Sequence, residues 1–73
     1  MAGFDLFQEQ IFEEYNRLSK QLGTNKQHVL TRARHIIRQA DHWAAQSDLT
    51  DEERFWLKVI KDSFEDLAQK AGG

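Results

Sequence analysis

Apolar residues recur at steps of three and four in three separate runs of the chain, with polar residues filling the positions between them. In the first run Phe4, Phe7, Ile11, Tyr15, Leu18 and Leu22 fall on one face of a helix. The second repeats Val29, Ala33, Ile36, Ala40 and Trp43, with Leu30, Ile37 and Ala44 beside them. The third carries Trp56, Leu57, Ile60, Phe64, Leu67 and Ala71. Proline is absent and β-branched runs are scarce, which leaves no competing strand reading. The pattern predicts three helices over about residues 5–22, 25–46 and 51–70.

Punctuation between the runs supports this division. Asp5, with Gln8 three residues on, is placed to cap the first helix, and Gly23 to end it in the left-handed conformation. Thr24 and Gln27 have the spacing of a capping box for the second helix. Thr50 and Glu53 repeat that spacing before the third, where Asp51, Glu52 and Glu53 also suit the positive end of the helix dipole. The links, Gly23-Thr24 and about Gln46 to Leu49, are short, which favours antiparallel neighbours. The expected fold is an all-α, three-helix up-down-up bundle forming a single helical domain over 1–73. Its inner face collects Phe7, Ile11, Tyr15, Leu18, Ile36, Ala40, Trp43, Ile60, Phe64 and Leu67.

With 73 residues, 40% of them hydrophobic, such a bundle sits at the small end of what folds alone. A core of this size leaves a margin of about 3 to 5 kcal/mol. The absence of cysteine excludes a disulfide, a thiolate metal site and a thiol nucleophile. Residues Met1 to Asp5 lack a basic region followed by an apolar run, and no segment approaches the roughly 20 apolar residues that span a bilayer. A soluble, cytoplasmic protein without a membrane role is expected. Ala71-Gly72-Gly73 is read as a frayed end, since a conjugation tail ordinarily follows a β-rich modifier domain and this chain has none.

Few residues are arranged for chemistry. His28, His35 and His42 are spaced by seven, a helical row with about 10 Å of rise per step, too long for neighbours to share a metal. Ser19, Ser47 and Ser63 have no histidine at a triad-like spacing, and no glycine-rich loop is present to cradle a phosphate. The acids lie beside basic residues in the manner of solvated helix faces. These observations predict a protein that is not an enzyme, with no catalytic residues, no cofactor and no metal site.

Two surfaces stand out instead. Residues 24–46 carry Lys26, Arg32, Arg34 and Arg38 against Asp41 alone, while the segments on either side are net acidic within an overall charge of −2. The leading explanation is ion pairing of the second helix with two acidic neighbours; the alternative is a basic face that tracks phosphates, as in a nucleic-acid-associated regulator. On the third helix Phe55 and Val59 lie more than 90° off the apolar stripe and need cover of their own, from Leu49 and the incoming loop or from a partner. Leu6 and Phe12 stray similarly from the first stripe. These residues point to a small non-catalytic protein–protein interaction module, docking a protein partner or self-associating as a homodimer.

The stretch from Leu30 to Ala68, with Leu49-Thr50-Asp51-Glu52-Glu53 and then Ile60-Lys61-Asp62-Ser63-Phe64-Glu65-Asp66-Leu67-Ala68, resembles the N-terminal helical region of an uncharacterised bacterial family of zinc-ribbon-containing proteins. The resemblance covers about half the chain and implies a helical fold with no known activity. The cysteine pairs of the ribbon are absent, so it implies no metal ligand here.

Overall fold

A computed structural model describes residues 2–72, and these form three helices: α1 (Ala2–Gln21), α2 (Lys26–Ala44) and α3 (Asp51–Lys70). The chain runs up, down and up. Phe4 of α1 meets Trp43 near the end of α2 and Trp56 near the start of α3, while Tyr15 meets Phe64 further along. The bundle is elongated, 38 × 19 × 15 Å.

Each helix follows its apolar stripe. Phe4, Ile11, Leu18, Val29, Ala33, Phe64 and their neighbours form one continuous core, with Tyr15, Leu30, Ile37, Trp43, Trp56 and Ile60 packed partly buried against it. The backbones of α2 and α3 approach each other more closely than either approaches α1. Small buried residues, Ala33 and Ala40 on α2 and Ala68 on α3, leave room for that approach. The first helix stands off on larger side chains. Phe4 and Phe7 interlock with Trp43 and Trp56 at centroid distances of 5.3 to 6.1 Å, several of the pairs edge-to-face. Phe4 is fully buried at the centre of this cluster, although it begins its stripe at the outermost position.

The boundaries differ from the sequence expectation in three places. The first helix starts at Ala2, so Asp5 lies in its first turn and acts on the dipole. The second is capped by Asn25, whose Oδ1 accepts from the His28 backbone N–H at 3.3 Å; Thr24 instead turns its hydroxyl back to the Gln21 carbonyl. Asn and Thr are both good caps, and the turn decides between them. Thr24 and Asn25 both donate their backbone N–H to the Gln21 carbonyl, at 3.0 and 2.8 Å, which holds Thr24 inside the turn. Gly23 lies outside the left-handed region; Gly72, at φ +99°, is the one described glycine that adopts it. The expected frayed end is ordered as far as it is described: Ala71 is buried in the core and the Gly72 N–H donates to the Gln69 carbonyl at 3.0 Å, while Gly73 lies outside the described residues.

The third helix starts as expected. Thr50 Oγ1 accepts from the Glu53 backbone N–H at 3.1 Å, and the Glu53 carboxylate accepts from the Thr50 backbone N–H at 2.8 Å. That bond holds the Glu53 carboxyl below its ordinary range.

Candidate functional site

The orientation of α3 is set by Leu57, Phe64, Leu67 and Ala68, all buried. Phe55 and Val59 lie two residues to either side of Leu57, a rotation of about 200° each way, and so must face away from the core. They do: Phe55 is 68% and Val59 45% exposed. Leu49 is buried in the core and does not cover Phe55. On α1, Leu6 and Phe12 are exposed for the same kind of reason, each standing one residue, about 100°, from buried Phe7 or Ile11.

The four basic candidates of α2 do not form one face. Arg32 turns toward α1, where its Nε donates to Glu14 Oε1 at 2.7 Å; Glu14 also accepts from Arg17 at 3.1 Å, and its side chain is only 12% exposed. This group closes a cleft of about 260 Å³ between α1 and α2 that includes Phe7, Ile11 and Ile36. Arg34 and Arg38, one turn apart, remain together on the solvent side, and Lys26 lies eight residues before Arg34, about 80° round the helix. None of these three forms an ion pair among the described residues.

The expected pairing of a basic α2 with acidic neighbours therefore holds toward α1 through Arg32 and reverses toward α3. There Asp41, the one acid of α2, accepts from Lys61 of α3 at 2.8 Å, and that bond raises the Lys61 pKa. Arg54 is engaged with the carbonyls of Ala44 and Gln46, at 3.3 and 2.9 Å, which ties α3 to the end of α2. Lys70 pairs with Asp66 at 3.0 Å within α3, which likewise raises its pKa.

His28, His35 and His42 are exposed along α2. Among the described residues no group of three His, Cys, Asp or Glu side chains gathers closely enough to hold a metal ion. His35 and His42 do share a feature that spacing alone did not single out. With Arg38, Gln39 and half-buried Trp43 they line a shallow surface hollow of about 330 Å³, and Arg38 and His35 continue into an adjoining depression with Thr31 and Arg34. The signal was present in the i, i+3, i+7 spacing of His35, Arg38 and His42 beside an aromatic residue. What sequence could not supply was the degree to which Trp43 is left uncovered once Phe4 and Phe7 have packed on it.

No protein-family model, curated protein or solved structure matches this chain. Among the described residues no helix is long and apolar enough to cross a membrane.

Proposed function

We propose that this protein is a small non-catalytic interaction module that docks another protein through the Phe55–Val59 ridge of α3. The supporting observation is the exposure of those two side chains on a helix whose other large apolar residues are buried or half-buried. A solvated helix face in a bundle this small is ordinarily polar, and apolar side chains one turn apart suit the anchor pattern of helix-in-groove recognition.

The test is a double variant, Phe55→Ser with Val59→Ser. Helical circular dichroism and the thermal midpoint should stay close to wild type, because substitutions at exposed positions shift stability by no more than about 0.5 kcal/mol each. Capture of protein partners from a lysate of the source cells, at two salt concentrations, should weaken but remain at high salt with wild type and disappear at both with the variant. Identical capture by both proteins would defeat the proposal.

A second reading has one observation in its favour. The solvent side of α2 presents Arg34 and Arg38 without an acidic partner, a feature suited to phosphate and hence to nucleic acid. It is the weaker reading because α1 and α3 are both net negative and would repel a polyanion that spread beyond α2. Its mark would be duplex binding that falls steeply with salt and is lost in Arg34→Glu with Arg38→Glu.

A further inference from the structure

Ion pairing inside the monomer leaves two surfaces of opposite sign. Once Arg32 is taken by Glu14 and Asp41 by Lys61, the charged residues left over on α2 are Lys26, Arg34 and Arg38, all cationic. On α3, Asp66 is taken by Lys70, Glu53 by its cap and Arg54 by two carbonyls. Asp51, Glu52, Asp62 and Glu65 are left, the first three around the Phe55–Val59 ridge, with Lys58 on one flank. Asp62 lies seven residues after Phe55, in line with it along the helix, and Glu52 lies one turn before it, so the apolar pair is bracketed by acids. The cationic surface carries the matching parts: a hollow with the exposed part of Trp43 in its lining, His35, Arg38 and His42 around it, and Arg34 one turn away.

We infer that the occupant of the ridge is the α2 face of a second copy of this chain, with Phe55 seated against Trp43 in the hollow and Asp62, about 10 Å further along its helix, opposite Arg34 and Arg38. The inference rests on the reading above that the ridge is a docking surface, and it names the partner. Charge favours this contact over ridge against ridge, which would set Asp51, Glu52 and Asp62 of one copy against the same acids of its twin. Every copy carries both a ridge and a hollow, so two copies can exchange ridge for hollow about a twofold axis, or the contact can run head-to-tail and propagate until a ring closes. It covers little more than one helix face, which places it among weak, reversible interfaces below about 1,200 Å².

Sedimentation equilibrium from about 10 µM to about 1 mM covers the range of such weak contacts. The average mass of wild type should rise with concentration to that of a dimer or beyond, and the rise should shrink at 0.5 M salt, about three times the physiological ionic strength. Phe55→Ser, which removes the ridge, and Arg34→Glu with Arg38→Glu, which reverses the hollow, should each sediment as monomers while retaining wild-type helicity. Mixed together, the two variants should form a 1:1 dimer and nothing larger, because one supplies only a hollow and the other only a ridge. Val59→Lys provides a second ridge variant if Phe55→Ser lowers helicity, and it should behave in the same way. A monomeric wild type at the highest concentration, continued association of either variant alone, or failure of the mixture to dimerise would overturn the inference. A monomer whose Phe55–Val59 ridge is still required to capture a different protein would sink self-assembly and leave the docking proposal standing. A monomer whose Arg34 and Arg38 bind duplex DNA would assign the α2 face to phosphate instead.

Discussion

Arg32 of α2 reaches across the bundle to Glu14 of α1 at 2.7 Å, and this is the one ion pair that joins those two helices among the described residues. Glu14 is nearly enclosed while Arg32 keeps much of its side chain in water, so the pair lies between the surface and buried extremes. A double-mutant cycle with Glu14→Gln and Arg32→Gln should give a coupling of about 1 kcal/mol. A coupling below about 0.3 kcal/mol, within the error of additivity, would show that the contact contributes nothing to stability.

Phe4 and Phe12 are both phenylalanines of α1, one fully buried and the other 71% exposed. Phe4→Leu should cost about 1–2 kcal/mol and Phe4→Ala about 3–5, enough to unfold much of the protein given its small margin. Trp43→Ala and Ile36→Ala should each cost about 2–5 kcal/mol. Phe12→Ala should stay within about 0.5 kcal/mol of wild type. Urea denaturation ranks the four positions, and an equal response at Phe4 and Phe12 would contradict the placement of α1.

The turn before α2 separates Asn25 from Thr24. Asn25→Ala should destabilise by about 1 kcal/mol through loss of the cap, and Thr24→Ala by clearly less. Gly23→Ala should be neutral or stabilise by up to about 1 kcal/mol, because Gly23 is outside the left-handed region and an added Cβ would meet nothing within 4 Å. Thermal melts showing Gly23→Ala to be the most damaging of the three would restore the expectation that this glycine ends α1.

Acid should weaken the start of α3. The Thr50 N–H lowers the Glu53 pKa in the folded state, so the carboxylate's contribution is complete above its ordinary value of 4.5 and is lost as pH falls through the lowered value. Thermal midpoints of wild type and Glu53→Gln, compared from pH 7 to about pH 3, should converge toward the acid end of that range. A gap that stayed constant would mean that the charge of Glu53 does not support the cap.

The three helices, the two links and most of the core were legible in the residue order. A stripe at steps of three and four has a single means of burial in so short a chain, and the Thr50–Glu53 box is a local device that works the same way wherever it occurs. The exposure of Phe55 and Val59 was half legible. Their angle to the stripe followed from their numbers, whereas the failure of Leu49 to cover them depended on where the loop runs. The choice of Asn25 over Thr24 was not legible, since both can cap and the closure of the turn on Gln21 decides between them. Nor was the division of the basic residues. Arg32 and Arg34 are two residues apart in one sequence pattern, yet only the packing of α1 against α2 sends one to Glu14 and leaves the other in solvent. Periodicity determines which side of a helix is buried because that depends on the helix's own geometry. Which charges meet, and how much of Trp43 stays uncovered, depends on side chains far apart in sequence, and the tertiary structure alone brings those together.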